Sequence, residues 1–222
     1  HLCNQGKGTF NQNAPIDAIA ISPNGKQFVT GGWDGRAVIW DRATGKEIRS
    51  LMHGGDQVLA VDWSADGKWI VTGSNDGKNG YVQLWNAATG ERVERSFGSR
   101  DGSGESHVGP VLSISFSPNG QSIVSGSDDT TVRLWETSTG KHVKLFFSHL
   151  GPIWDVEFDR EGKRIVSASG DGTAIVWDIA TGAAKAPFTG HDGPVYSAAF
   201  SPTGPQVATG GYDRRILIWN PG

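Results

Sequence analysis

The sequence is short of the features that mark disulfide-stabilised, membrane-spanning and nucleic-acid-binding proteins. Its single cysteine, Cys3, allows neither an internal disulfide nor a cysteine-based zinc site. No stretch approaches the roughly 18 apolar residues of a membrane span, so we expect no membrane partner. The 20 Lys and Arg residues are matched by 23 Asp and Glu residues, for a net charge of −3. Because there is no basic excess, we expect no nucleic-acid partner.

The start of the chain also lacks familiar signals. It begins with His1 rather than methionine, and residues 2–4 form neither a basic nor a long apolar stretch. We therefore expect no signal peptide. The expectation that follows is a cytoplasmic protein that is processed, or cut from a longer one.

Tryptophan is abundant instead, and its spacing reveals a repeat. Five of the nine tryptophans stand at positions 40, 85, 135, 177 and 219. A second, apolar series runs in step with them, at Ile16, Val58, Val111, Ile153 and Val195. The underlying period is 42 residues, with about 3 extra residues in repeat two and 8 more before repeat three. The repeats span about 15–57, 58–109, 110–151, 152–193 and 194–222, and we expect one domain over 1–222.

Each repeat is predicted to contain four short strands and no helix. The first strand is apolar on both faces, as in Ile114–Phe116, which is typical of a strand packed on both sides. A turn ending in glycine follows, and glycine supplies the positive φ that a tight hairpin needs. These glycines are Gly25, Gly67, Gly120, Gly162 and Gly204. An Asp-centred turn and a Thr-Gly turn separate the remaining strands, so the fold class is all-β.

The residues that end the third strand resemble the signature of the WD-repeat family. The Trp-Asp pair is literal at Trp40-Asp41 and Trp177-Asp178 and relaxed in the other three repeats, and one Gly-His pair survives at Gly190-His191. The resemblance covers residues 15–222. It implies a β-propeller of five four-stranded antiparallel blades.

The last repeat has only three predicted strands, and the start of the chain holds the missing one. Residues 7–11 precede Pro15 as residues 144–148 precede Pro152, with Phe10 matching Phe147. We therefore expect 1–14 to supply the outer strand of the last blade, which closes the ring, removes an exposed edge and leaves a monomer. The alternative is a five-blade fragment of a larger WD-repeat ring.

A hydroxyl, an imidazole, a carboxylate and an indole recur in register. The sets are His53, Thr72, Asp76 and Trp85; His107, Ser125, Asp129 and Trp135; His149, Ser167, Asp171 and Trp177; His191, Thr209, Asp213 and Trp219; and Thr30, Asp34 and Trp40, with Gln12 in place of histidine. A nucleophilic triad occurs once in an enzyme, whereas this set recurs in every blade. By resemblance to WD-repeat blades it is a structural tetrad, weakest in repeat one. We expect no catalytic residue, metal or cofactor.

Two further positions vary from repeat to repeat, as expected of a recognition surface. By resemblance, both face one rim, the top. They hold Trp33, Asn75, Asp128, Gly170 and Tyr212 before the tetrad aspartate, and Asp17, Leu59, Leu112, Trp154 and Tyr196 in the first strand. If the ring closes, Trp154, Tyr196, Tyr212 and Trp33 form an aromatic arc, with Leu59, Leu112, Asp17 and Asp128 completing the rim.

These observations favour a non-enzymatic scaffold that binds a protein or peptide on the top rim, because clustered Trp and Tyr are typical of binding hot spots. The alternative is a propeller that binds a carbohydrate or small ligand. Such a propeller repeats one aromatic in every blade, whereas the series Trp33, Asn75, Asp128, Gly170 and Tyr212 does not repeat.

Overall fold

The computed structural model describes residues 12, 14–54, 56–94, 97–98 and 106–222, and in that part of the chain it contains strands and no helix. Blade 1 consists of β1 (Ile16–Ile21), β2 (Gln27–Gly32), β3 (Arg36–Asp41) and β4 (Glu47–Met52). Blade 2 consists of β5 (Gln57–Trp63), β6 (Trp69–Asn75) and β7 (Gly80–Asn86). Blade 3 consists of β8 (Val111–Phe116), β9 (Ser122–Ser127), β10 (Val132–Glu136) and β11 (His142–Phe146). Blade 4 consists of β12 (Ile153–Phe158), β13 (Arg164–Ser169) and β14 (Ala174–Asp178), and blade 5 of β15 (Val195–Phe200), β16 (Val207–Gly211) and β17 (Ile216–Trp219).

Each blade is an antiparallel meander in which the strands pair in chain order. Blades 1 and 3 have the four predicted strands. In blades 2 and 4 the fourth strand is reduced to isolated bridges, such as Val82 with Phe97 and Trp177 with Ala184. In blade 4 the reason lies in residues 183–188, which contain no β-branched residue and include Pro187, which has no N–H to donate to the ladder.

The hairpin between the first and second strands uses glycine as predicted in four of the five blades. Gly25, Gly67, Gly120 and Gly162 have φ between 66° and 74°. The prediction is wrong for Gly204, which is not among the positive-φ residues. Pro205 follows it, and a proline pushes the preceding residue towards extended backbone.

The hydrophobic core is divided among the seams between consecutive blades. On the side of the blade that comes later in the chain, each seam contains three residues of the first strand, which we call the seam residues. They are Val58, Val61 and Trp63; Val111, Ile114 and Phe116; Ile153, Val156 and Phe158; and Val195, Ala198 and Phe200, and all except the half-buried Phe200 are buried. The first strands therefore contact one another in chain order from β1 to β15.

A small residue on the second strand of the preceding blade leaves space for these seam residues. A Cβ added to Gly126 would lie 2.6 Å from Ile153 Cγ2 and 2.9 Å from Val156 Cγ1. Gly31 and Gly73 occupy the same position in blades 1 and 2, and Ala168 in blade 4. Glycine here allows two sheets to approach more closely than any side chain would permit.

The predicted closing strand, residues 7–11, lies outside the described residues. Among the strands that are described, β17 pairs with β16 alone, and no ladder joins one blade to another. The described residues also include no helix that is long and apolar enough to cross a membrane.

Candidate functional site

The two predicted rim positions lie side by side because the chain turns twice at the same edge of each blade. The residue before the tetrad aspartate donates its backbone N–H to the proline carbonyl that precedes the first strand. These pairs are Trp33 with Pro15 (3.1 Å), Asp128 with Pro110 (3.0 Å), Gly170 with Pro152 (2.8 Å) and Tyr212 with Pro194 (2.8 Å). In blade 2 the corresponding residues, Asn75 and Gln57, are partners in the ladder between β5 and β6, and the Asn75 side chain also donates to the Gln57 side chain, at 3.3 Å.

The structure brings two of the predicted aromatics into contact across the seam between blades 4 and 5. The rings of Trp154 and Tyr196 meet edge to face, with centroids 6.1 Å apart and planes at 66°. Both side chains remain exposed. The Trp154 indole occupies the space beside Gly170, where a Cβ would lie 3.1 Å from Nε1. Tyr212 is exposed and lies against Gly193.

The other predicted rim residues are more dispersed. Trp33 is exposed, and its indole N–H donates to the Asp17 carboxylate in the same blade. Leu59 and Leu112 are half-buried, whereas Asp128 is exposed. Trp33 joins the arc only through a seam between blades 5 and 1, and no ladder connects those two blades among the described strands.

The tetrads of blades 3 and 4 form hydrogen-bonded chains. In blade 4 the Trp177 indole N–H donates to Ser167 Oγ at 2.8 Å, Ser167 Oγ lies 2.8 Å from His149 Nε2, and His149 Nδ1 lies 2.9 Å from Asp171 Oδ2. The corresponding distances in blade 3 are all 2.8 Å. Each aspartate also accepts the backbone N–H of the residue that follows the histidine. These contacts connect the loop that precedes the first strand to the turn between the second and third strands.

Blade 1 completes the same chain without a histidine. The Trp40 indole donates to Thr30 Oγ1 at 2.8 Å, and the Thr30 hydroxyl donates to Gln12 Oε1 at 2.8 Å. Gln12 Nε2 then donates to Asp34 Oδ1 at 2.8 Å. The network of repeat one is complete without a histidine, because an amide offers an acceptor and a donor just as a neutral imidazole does. That it is the weakest of the tetrads stays a prediction.

Blades 2 and 5 differ from this series of hydrogen bonds, blade 2 at the aspartate and blade 5 at the tryptophan. In blade 2, Thr72 bonds to both Trp85 and His53, but Asp76 accepts from the N–H groups of Lys78 and Asn79 within its own turn. In blade 5, His191 lies 2.9 Å from Thr209 Oγ1 and 3.0 Å from Asp213. The Trp219 indole N–H has no hydrogen-bond partner among the described residues, and the ring stacks on Phe188 at 4.7 Å.

The environment of the tetrads in blades 3 and 4 favours a neutral histidine and an ionised aspartate. Burial lowers the pKa of His107 and His149, although the neighbouring carboxylates oppose the shift. Burial acts to raise the pKa of Asp129, but hydrogen bonds from His107 and Thr131 outweigh it and hold that pKa well below its usual range. The hydroxyls of Ser125 and Ser167 belong to residues that are 0% exposed.

Sequence reasoning missed a second set of carboxylates, on the first strands. Asp155 Oδ2 accepts the Ser197 hydroxyl at 2.8 Å and the Ala198 N–H at 3.1 Å, both from blade 5. Asp62 Oδ2 accepts the Phe116 N–H at 2.7 Å, and Glu157 accepts the Phe200 N–H. The signal was available as acidic residues inside otherwise apolar strands.

These carboxylates accept hydrogen bonds from the next blade, but burial disfavours their ionised form. Burial raises the pKa of Asp62 to about 6, against the hydrogen bonds from Phe116 and Trp63. Burial likewise raises the pKa of Asp155, and that of Glu157 is raised by burial and by the charges of Asp155 and Asp62. In the described part of the chain, no group of three or more His, Cys, Asp or Glu residues is arranged to hold a metal ion.

Comparison with known proteins gives matches in the same register as the blades. A profile of the family described as WD domain, G-beta repeat matches residues 5–41, 45–86, 98–136, 140–178 and 182–220. The Small ribosomal subunit protein RACK1 of Drosophila melanogaster is 29% identical over 141 residues, which cover 63% of this chain and 43% of that protein. Its counterpart in Caenorhabditis elegans is 28% identical over 129 residues, or 55% of this chain and 37% of that protein.

Protein tipD of Dictyostelium discoideum is 27% identical over 135 residues, which cover 61% of this chain and 20% of that protein. The chain thus spans less than half the length of these curated relatives. Each of the five profile matches contains the first three strands of one antiparallel sheet and ends one residue after the repeated tryptophan on the third strand. The resemblance noted in the sequence is confirmed, and the chain belongs to the WD-repeat family.

Proposed function

We propose that this chain is a non-catalytic scaffold that binds a partner protein or peptide on its top rim. The observation that carries the proposal is the exposed edge-to-face pair of Trp154 and Tyr196. Large aromatic side chains supply much apolar contact with few rotatable bonds to immobilise, which is why they dominate binding hot spots. Tyr212 and Leu112 extend this surface over blades 5 and 3.

The contrast between positions that repeat in every blade and positions that vary supports the same function. The hydroxyl, carboxylate and indole of the tetrads repeat in all five blades, whereas no residue type occupies either rim position in more than two blades. A rim without a repeated pocket suits one asymmetric partner better than several identical sugars. The serine hydroxyls that resemble nucleophiles are buried, which supports a role without catalysis.

The relatives favour the scaffold as well. A protein named as a component of the small ribosomal subunit works within a larger assembly. WD-repeat membership and this relationship support protein partners in general. The residues of the top rim are our own assignment, drawn from exposure and contacts.

The proposal is tested by selecting binders from a displayed peptide library on the purified chain and measuring their affinity for rim variants. Trp154→Ala combined with Tyr196→Ala is expected to weaken binding by about 30-fold or more, which corresponds to about 2 kcal/mol. Because both side chains are exposed, the variant should have the same melting temperature as the parent chain. Leu145→Ala, an exposed apolar truncation on β11, is the matched control and should leave the affinity unchanged.

A double variant that keeps its fold and its affinity would refute the top rim as the binding surface. Equal losses for the Leu145 control would likewise show that the selected peptides recognise apolar surface in general.

A further inference from the structure

Three asparagines of the chain are followed directly by glycine. The pairs are Asn24-Gly25, Asn79-Gly80 and Asn119-Gly120. In such a pair the backbone nitrogen of the glycine can attack the side-chain amide carbon of the asparagine, because glycine has no Cβ to block the approach. The attack needs an asparagine side chain that is free to turn and a glycine N–H that is not held in a short hydrogen bond. The folded structure therefore decides which of the three pairs can react.

The first pair is held in an unreactive arrangement by the turn between β1 and β2. Asn24 Oδ1 accepts the Ser22 hydroxyl and the Lys26 N–H, both at 2.9 Å. The Gly25 N–H donates to the Ser22 carbonyl at 2.8 Å. Both the side chain that would be attacked and the nitrogen that would attack are thus fixed by hydrogen bonds of ordinary length.

The third pair is held in the same way between β8 and β9. Asn119 Oδ1 accepts the Ser117 hydroxyl at 2.8 Å and the Gln121 N–H at 2.9 Å. The Gly120 N–H donates to the Ser117 carbonyl at 2.8 Å. Two of the three pairs are therefore protected by identical turn chemistry.

The second pair lies in the turn between β6 and β7, which contains the extra residues of repeat two. The backbone of Asn79 is bonded to Asp76, whose Oδ1 accepts its N–H at 2.6 Å and whose N–H donates to its carbonyl at 3.1 Å. The Asn79 side-chain amide forms no hydrogen bond with the described residues. The Gly80 N–H donates to the His107 carbonyl at 3.4 Å, a longer bond than the 2.8 Å of the other two glycines.

Exposure and hydrogen bonding give opposite expectations for the three pairs. Asn24 and Asn119 are exposed, whereas Asn79 is half-buried. Exposure alone would thus favour reaction at the first and third pairs. Hydrogen bonding favours the second pair, where the side chain turns freely and the glycine nitrogen is only weakly held. A half-buried side chain still meets the water that completes the reaction.

We propose that Asn79 is a site of spontaneous deamidation in the folded chain and reacts ahead of Asn24 and Asn119. The Gly80 nitrogen bonds to Asn79 Cγ, and the side-chain nitrogen leaves as ammonia together with the proton lost from Gly80. The resulting cyclic imide is opened by one water molecule at either of its two carbonyl carbons. The products are aspartate and isoaspartate, and no oxidant or reductant takes part.

The isoaspartate product has a structural consequence at the seam between blades 2 and 3. Its backbone runs through the former side chain, which places one more atom between residue 79 and Gly80. Gly80 has little room to move, since a Cβ added there would lie 2.2 Å from the Gly109 carbonyl oxygen and 2.7 Å from the nitrogen of the seam residue Val111. Because interiors are close-packed, the longer backbone should disturb the pairing of Gly80 with Asn75 and loosen this seam.

The first test follows the reaction in the purified chain at mildly alkaline pH. Samples are digested with an acid protease, because acid slows the reaction, and the three sites are measured by mass spectrometry. Asn79 is expected to convert about tenfold or more faster than Asn24 and Asn119, which react only after local opening of their turns. In concentrated urea the three sites should convert at similar rates. Asn79→Gln is the control and should remove conversion at this site alone, since the longer side chain closes a ring slowly.

The second test separates the effect of the backbone from that of the charge. The isoaspartate form is isolated by ion exchange from an aged sample, and Asn79→Asp supplies the same charge on a normal backbone. The isoaspartate form should melt about 2 °C or more below Asn79→Asp, because only the longer backbone strains the seam.

Three results would overturn the proposal. The first is conversion of Asn24 or Asn119 in the folded chain as fast as that of Asn79. The second is a folded chain in which Asn79 stays intact while the unfolded chain converts. The third, an isoaspartate form that melts with Asn79→Asp, would refute the effect on the seam. Because none of these measurements involves Trp154 or Tyr196, their outcome is independent of the top-rim proposal.

Discussion

Gln12 and Asp34 are joined by a hydrogen bond of 2.8 Å in the place where blades 3 and 4 join a histidine to an aspartate. The glutamine carbonyl faces Thr30 and its amide nitrogen faces Asp34, so the amide reproduces the acceptor and donor of a neutral imidazole. The comparison shows what the histidines of the other blades contribute. In blades 3, 4 and 5 they bridge a hydroxyl and a carboxylate, a role that the uncharged Gln12 amide fills in blade 1.

The first prediction concerns this glutamine. Gln12→Ala is expected to lower the free energy of unfolding by about 1–2 kcal/mol, because Thr30 and Asp34 each lose a partner in a buried network. Gln12→His should stay within about 1 kcal/mol of the parent, since an imidazole spans the same two groups. Urea unfolding followed by tryptophan fluorescence measures both. Gln206→Ala, an exposed glutamine, is the control, and a Gln12→Ala variant as stable as this control would contradict the bridging role.

The second prediction compares two tetrad aspartates. Asp171→Ala should cost on the order of 1–3 kcal/mol, because the buried His149 and the Leu150 N–H both lose their acceptor. Asp76→Ala should cost less, since Asp76 is exposed and accepts from the N–H groups of its own turn. Thermal melts of the two variants, recorded side by side, check the order. Equal losses would mean that the hydrogen bonds to His149 and Leu150 add no stability to blade 4.

The repeat period and the tryptophan spacing were enough to predict the all-β class and the five sheets, because strand alternation and turn chemistry are local properties. The places of the rim residues along the chain were also predictable, since each either precedes a tetrad aspartate or lies near the start of a first strand. The contact between Trp154 and Tyr196 depends on the packing of two blades, and sequence spacing carries no such information. The same limit applies to Trp219, whose ring stacks on Phe188. The turn at Gly204, by contrast, could have been predicted from the proline that follows it.

The carboxylates between blades illustrate the limit most clearly. An aspartate within an apolar strand was visible in the sequence at Asp62, but its acceptor role depends on Phe116, 54 residues away along the chain. Only the packing of blade 3 against blade 2 places that N–H within reach. Contacts between consecutive blades are therefore the part of the fold that the sequence pattern does not predict.

The third prediction is a pH dependence centred on Asp62. Burial raises the pKa of Asp62 to about 6 in the folded chain, against 3.8 without burial. The folded state therefore binds the proton more tightly than the unfolded state, and this group favours folding increasingly as the pH falls through about 6. Between about pH 7.5 and about pH 4.5, the parent should gain about 2 kcal/mol relative to Asp62→Asn, which cannot titrate.

Urea unfolding at a series of pH values gives this difference directly. Asp128→Asn removes an exposed carboxylate and serves as the control for the change in net charge. A constant difference between the parent and Asp62→Asn across the whole range would contradict the raised pKa.

The fourth prediction uses two glycines that occupy equivalent positions in different blades. Gly126→Ala should destabilise the chain by about 1–3 kcal/mol, because the added Cβ would lie 2.6 Å from Ile153 and force blades 3 and 4 apart. Gly210→Ala should be neutral or stabilising by up to about 1 kcal/mol at low protein concentration, because its Cβ meets no described atom and alanine lowers the entropy of the unfolded chain. Thermal unfolding of both variants under dilute conditions measures the contrast. A Gly210→Ala variant as unstable as Gly126→Ala would contradict the free space beside Gly210.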